Sequence, residues 1–278
     1  MKRSFDFLGH EVSGTGRDRA YVIPVPIEWS TTYGKGAALA PAKILNASLQ
    51  VELYNASLDL DLEGSGIVTL DPGVTEREGL IAFVAESREL FKGALPCFVG
   101  GEHSITPWIL RGLEAGGIGI VWLDAHADCR ESYLGEKENH ACAARNASEF
   151  GPIVEVGVRS YSREEREFLL TSERVRAFHF WDDAARRAIG ALPDSVYLSV
   201  DFDAFDPSIV RSVGTPEPDG LRWDEMMKIL SYVFSEKRVV AMDAVELCPT
   251  AGDEASNFIA AKFVAEALGQ YVKEGNRT

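Results

Sequence analysis

Residues 117–128 read Gly117-Ile118-Gly119-Ile120-Val121-Trp122-Leu123-Asp124-Ala125-His126-Ala127-Asp128. The apolar part, 118–123, is short, unbroken and rich in β-branched and bulky side chains, which suits a strand buried on both faces. It ends in three side chains able to bind metal, spaced at every second position. If the backbone stays extended, all three point the same way, because side chains alternate along a strand. On a helix they would not share a face. The alanine spacers leave room for close approach.

The pattern recurs twice. The run 196–200 leads into Asp201-Phe202-Asp203, again two carboxylates two positions apart. The run 97–99 leads into Gly100-Gly101-Glu102-His103, where the paired glycines are expected to make a tight turn that aims His103 inward. A lone Asp at a strand end is usually a helix cap, and a lone His is usually structural. Two imidazoles and four carboxylates at the ends of three strands are a different matter. Without a cation the aspartates would raise one another's pKa sharply. Two divalent ions supply four positive charges, and binding them takes the formal charge from −15 to −15 + 4 = −11. Oxygen-rich ligation with two nitrogens and no thiolate selects a hard or borderline ion. Two Mn2+ per subunit are the first expectation, with Co2+, Ni2+, Fe2+ or Zn2+ as substitutes and a single Mg2+ disfavoured by the histidines.

In all, strands are expected at 20–24, 66–70, 95–99, 118–123, 153–158, 175–178, 195–200 and 239–244. Helices are expected at 41–53, 75–92, 162–170, 222–234 and 254–274. Pro41 suits a first helical turn, and Asp219-Gly220 is a turn signal. Sustained strand–helix alternation predicts a mostly parallel sheet covered by helices on both faces. In such sheets ligands bind beyond the carboxyl ends of the strands. With no repeat, linker or low-complexity stretch, residues 1–278 read as one domain.

The acidic balance argues against nucleic-acid and anionic-membrane partners, which call for clustered Lys and Arg. No apolar run approaches the roughly 20 residues that span a bilayer. The start, MKRSFDFLGHEVSG, is basic but lacks the apolar stretch of a secretory signal, so the cytoplasm is expected. Cys97, Cys129, Cys142 and Cys248 lack the spacing of a disulfide framework or zinc knuckle.

The segments VGGEHSIT (99–106), WLDAHAD (122–128) and SVDFDAFDPS (199–208) resemble the ureohydrolase family of arginases and agmatinases. Weaker matches are NHACAAR (139–145), GVRS (157–160), GTPEP (214–218) and DAVELCP (243–249). The resemblance covers residues 20 to 270. It implies an α/β fold, a three-layer α/β/α sandwich whose mostly parallel sheet has about eight strands. It also implies that His103, Asp124, Asp128 and Asp201 hold one ion and Asp124, His126, Asp201 and Asp203 the other. Asp128 would carry a proton of a hydroxide shared by the metals, His140 would shuttle a proton to the leaving amine, and Glu246 would grip the substrate guanidinium. Family members commonly form trimers or hexamers, so a homo-oligomer is expected.

The loop 129–139 lacks the arginase pattern that binds an amino-acid carboxylate and is closer to agmatinases. Agmatine is therefore the expected substrate, a small guanidino cation cleaved to urea and putrescine, with Glu131, Glu136 and Glu138 expected to favour its distal ammonium. Aminopropylagmatine, a guanidino acid or arginine are the alternatives, the last two because Arg211 replaces the usual Pro and could face an anionic end. Asp219 for Gly and Trp108 for a small residue are further departures. A deacetylase would need only a smaller Asp/His/Asp set, and a non-catalytic metal-binding relative would be expected to have lost ligands.

Overall fold

All eight expected strands are present in the computed structural model, which describes residues 6–14, 16 and 19–275. The basic start of the chain, on which the leader reading rested, lies partly outside the described residues. In chain order the strands are β1 (Ala20–Val25), β2 (Tyr54–Asn55), β3 (Leu60–Asp61), β4 (Ile67–Thr69), β5 (Leu95–Gly100), β6 (Gly119–Leu123), β7 (Ile153–Val156), β8 (Val175–Phe178), β9 (Ser195–Asp201) and β10 (Arg238–Val245). The α-helices are α1 (Ala40–Ser48), α2 (Arg77–Ser87), α3 (Ile105–Leu113), α4 (Ala143–Ala147), α5 (Arg163–Thr171), α6 (Asp183–Gly190), α7 (Trp223–Glu236) and α8 (Glu254–Glu274).

Eight strands form one sheet in the order β4-β1-β5-β10-β9-β6-β7-β8, and every pairing in it is parallel. Alternate residues of each central strand enter opposite cores. Val121 and Leu123 join Leu198 and Met242 on one side, and Ile120 and Trp122 join Tyr197 and Ala241 on the other. The first core is closed by α1, α6, α7 and α8, and the second chiefly by α2, α3 and α4. This is the three-layer sandwich the sequence implies, and burial on both faces explains why its strands read as continuous apolar runs.

Local signals account for several ends. Pro41 lies in the first turn of α1, Ser162 and Glu165 form a reciprocal capping box on α5, and Asp182 caps α6. The expected helix 41–53 stops early, at Ser48, because the chain turns into a small antiparallel hairpin of β2 and β3. The expected helix 75–92 is also shorter, giving way to turns after Ser87. No helix among the described residues is long and apolar enough to cross a membrane.

Candidate active site

Four neighbouring strands, β5, β10, β9 and β6, carry the metal-binding candidates and Glu246, whereas GVRS follows β7 and His140 lies just before α4. His103 follows β5, Glu246 follows β10, Asp201 ends β9, and Asp124 follows β6. Parallel pairing brings all four carboxyl ends to the same edge of the sheet, so residues far apart in the chain meet there.

Their local backbone differs from a simple extension. Past β6 the chain bends at Ala125, where the His126 N–H donates to Asp124 Oδ1 at 2.7 Å, and His126 then bridges to Ser160, while Asp128 takes a left-handed conformation with φ 46°. The three side chains therefore converge through a bend at Ala125 and a left-handed turn at Asp128 rather than through the simple alternation of an extended strand. Asp124 is shared by two groups of donors: one with His103 and Asp128, the other with His126 and Asp203, the ligand atoms in each lying within 4.8 Å of one another. Asp201 belongs to neither group but sends Oδ2 to 3.3 Å from His103 Nδ1. Its Oδ1 accepts the Asp203 N–H at 2.7 Å, which fixes the turn after β9.

The glycine pair before His103 acts by a different route from the one expected. Neither glycine has a positive φ. A Cβ on Gly101 would stand 2.0 Å from the Ile27 carbonyl oxygen, and one on Gly100 would meet Ile105 Cδ1 at 2.4 Å. Gly101 is needed for close backbone approach to the segment after β1, and Gly100 makes room for the side chains of Ile105 and Val245.

His103 is fully buried and stacks on Trp122, with ring centroids 4.1 Å apart. Its Nε2 lies 2.9 Å from Ser199 Oγ, which donates to Asp243 at 2.7 Å. Its Nδ1 makes no hydrogen bond, although oxygens of Asp124, Asp128 and Asp201 lie 3.1, 3.5 and 3.3 Å away. A buried nitrogen lone pair facing three carboxylates without a bonded proton is what a cation would complete. Burial, and then neighbouring carboxylates, push the acids of Asp124, Asp128 and Asp201 upward. Burial opposes the ionised forms of His126 and Asp203 too, but their contact at 2.9 Å overcomes it, raising His126 to about 9 and lowering Asp203. Such a set of acids is stable in ionised form only with positive charge among them, and its donors fit two divalent ions sharing Asp124.

Above this floor opens a cleft of about 370 Å3 lined by His126, Asp128, Asp201, Asp203, His140 and Glu246, among others. Glu246, like Asp128, has a positive φ, 64°, and its Oε1 accepts the His103 N–H at 2.7 Å. Two non-glycine residues held in this costly region at one site mark a backbone constrained by its surroundings. His140 lines the wall, half-buried, with Tyr133 edge-on to its ring at 5.8 Å. Burial lowers its pKa, the Glu102 carboxylate opposes the shift, and nearby cationic groups add to it.

Three expected contacts are absent from the cleft. Glu138 is engaged by Arg77 and Arg111, Glu131 faces Lys137 and Arg145, and neither they nor Glu136 line the cavity. Glu165, which no expectation named, does line the cleft, its buried carboxylate accepting the N–H groups of Cys129 and Ser162. Its only local sequence signal was the Ser162-x-x-Glu165 spacing of a helix cap.

Comparison with known proteins matches residues 18–269 to the Arginase family. The chain belongs to it. An agmatinase of Pyrococcus horikoshii is 35% identical over 91% of this chain and 92% of its own length. An N(1)-aminopropylagmatine ureohydrolase of Synechocystis is 32% identical, over 95% of this chain and 93% of its own. The crystal structure of the agmatine ureohydrolase of Thermoplasma volcanium superposes with a TM-score of 0.85 at 29% identity, covering 98% of this chain and 96% of that one.

The departures from the family pattern are accommodated away from the metal-binding candidates. Arg211 is largely exposed, with Nε 3.9 Å from Asp253, and does not line the cleft. Asp219 has φ 65°, the region glycine enters at no steric cost, which explains a glycine in relatives. Trp108 is buried and packs against Trp29 at 6.4 Å.

Proposed function

We propose that this arginase-family chain is a hydrolase of guanidino C–N bonds that converts agmatine and water to urea and putrescine. The observation that carries the reading is the meeting of four aspartates and two histidines on the floor of a cleft whose wall presents Glu246. Near-full-length similarity to an agmatinase supports the choice of substrate.

His103, Asp124, Asp128 and Asp201 would hold one divalent ion and Asp124, His126, Asp201 and Asp203 the other, with Mn2+ our choice. When bound, the pair supplies the positive charge that makes a water nucleophilic near neutral pH. The chain's own residues do the rest. Glu246 takes the planar guanidinium through Oε2 and the lone pair of Oε1 that His103 leaves open. Asp128 accepts a proton from the attacking water. His140 delivers a proton to the amine nitrogen as the C–N bond breaks, and an imidazole suits that exchange near neutrality. Water adds its oxygen to the guanidinium carbon, and the product amine leaves protonated.

A second reading, hydrolysis of aminopropylagmatine, is favoured by near-full-length similarity to the Synechocystis relative of that name. Guanidino acids and arginine lose their motive, since Arg211 lies outside the cleft and Arg130, which lines it, faces Glu165 at 3.6 Å. A role in polyamine synthesis, a cytoplasmic location and assembly into trimers or hexamers carry over from the family resemblance as parts of this proposal.

The test is urea release by the Mn2+-loaded protein from agmatine, aminopropylagmatine, guanidinobutyrate and arginine. Agmatine should lead in kcat/KM by about tenfold or more, an energy difference of about 1.4 kcal/mol. Preference for aminopropylagmatine would install the second reading. Urea from none of them would leave a metal-binding protein without this activity.

A further inference from the structure

The imidazole of His140 is not free to choose which nitrogen carries its proton. Its Nδ1 lies 3.0 Å from Ser30 Oγ, and its backbone N–H donates to the same oxygen at 3.2 Å. Ser30 Oγ in turn donates to Glu102 Oε1 at 2.7 Å. Ser30 comes from the segment after β1, and Glu102 from the segment after β5, so the three meet only in the folded sheet.

The direction of every proton in this chain is determined by its neighbours. Trp29 Nε1, which can only donate, gives its hydrogen to Ser104 Oγ at 3.2 Å. Ser104 therefore donates its own hydrogen to Glu102 Oε1, at 2.6 Å. The N–H groups of Trp29 and Ser30 donate to Oε2 at 2.9 and 2.8 Å. Four donors converge on Glu102, which acts only as an acceptor. The single hydroxyl hydrogen of Ser30 thus goes to Glu102, and its oxygen is left to accept. The hydrogen it accepts from the His140 ring must sit on Nδ1.

We propose that Ser30 and Glu102 are positioning residues that hold His140 as its Nδ1–H tautomer and so make Nε2 the nitrogen that exchanges protons in the cleft. Nε2 has no hydrogen bond to another described residue. Free neutral histidine prefers the opposite tautomer, so the preference has to be imposed. A hydroxyl backed by a buried carboxylate imposes it, much as a second partner fixes the tautomer of a catalytic or metal-bound histidine. Tyr133, edge-on to the ring, limits its rotation from another side. The inference rests on the reading of His140 as the proton shuttle.

The experiment is two-bond 1H–15N correlation NMR of 15N-histidine-labelled protein loaded with Zn2+, which is diamagnetic, with His140 assigned from the signals missing in His140→Asn. Wild type should show His140 protonated at Nδ1. Ser30→Ala should lose that signature and lower kcat for agmatine about tenfold while KM stays within about twofold. Ser30→Thr, which keeps the hydroxyl, should restore both. An Nε2–H tautomer in the wild type overturns the inference with the shuttle reading intact, and so does unchanged kcat in Ser30→Ala. Unchanged kcat in His140→Asn overturns it from the other side, by removing the shuttle itself.

Discussion

The backbone N–H of His103 donates to Glu246 Oε1 at 2.7 Å. The residue proposed to grip the guanidinium is thereby fixed to the same loop that delivers a metal-binding candidate. Glu246→Gln keeps an acceptor for that N–H and removes the charge. We expect kcat/KM for agmatine to fall by roughly 30- to 1,000-fold, about 2–4 kcal/mol, as for the loss of one partner of a desolvated charge pair. Metal content should stay at the wild-type value. Unchanged kcat/KM would assign Glu246 to structure alone.

Asp124 is the one carboxylate common to both donor groups, and its oxygens are already oriented by Trp122 Nε1 at 2.9 Å and by the His126 N–H at 2.7 Å. Asp124→Asn should therefore weaken both ions rather than one. Metal analysis after dialysis against Mn2+ should give about two equivalents in the wild type and well under one in the variant. Two retained equivalents would contradict the sharing.

Gly101 separates the two kinds of glycine reasoning. An added Cβ would collide with the backbone of Ile27, which has no flexible end to move aside. Gly101→Ala should cost about 3 kcal/mol or more and lower Tm by several degrees, with loss of metal binding as His103 shifts. A stable variant with normal metal content would mean that the β1 and β5 ends are looser than the structure has them.

Much of this site was legible because its donors follow strands at fixed offsets. The apolar run before Asp124 and His126 identifies the strand, although a bend at Ala125 replaces the simple alternation expected beyond its end. What the offsets do not carry is which strands are neighbours. That β10 lies between β5 and β9 follows from long-range pairing, so Glu246 was reachable only through the family resemblance. The left-handed turns at Asp128 and Glu246 are equally invisible, since neither residue type announces a positive φ. Ser30 had no motif at all. It matters through Glu102 and His140, which lie 72 and 110 positions away. The acidic loop misled for the opposite reason: Glu131, Glu136 and Glu138 cluster in sequence, yet the fold pairs Glu131 and Glu138 with other cations and leaves Glu136 exposed outside the cleft.

Asp206 ties down the loop that runs past Gly214 and Thr215 on the cleft wall. Its carboxylate is held at about 2, below 3.8, by hydrogen bonds from Ser208 first and then from the Gly220 N–H. A lowered folded-state pKa contributes stability that is present above pH 3.8 and lost as pH falls toward 2. Discounted for partial exposure, the contribution is about 1 kcal/mol. Asp206→Ala should be less stable by that amount in urea melts at pH 6, and the gap to wild type should close as the pH is lowered through this window. A gap that stays constant with pH would assign the effect to packing.

The acidic residues of the 129–139 loop offer a clean negative expectation. Glu131 and Glu136 are exposed and lie outside the cleft. Charges separated from the substrate by more than about 8–10 Å of salt water are largely screened. The double variant Glu131→Gln/Glu136→Gln should keep KM for agmatine within about twofold at 0.15 M salt, a change of under about 0.5 kcal/mol. Should KM rise tenfold, the loop must fold over the bound substrate, and the distal ammonium would be read by these carboxylates.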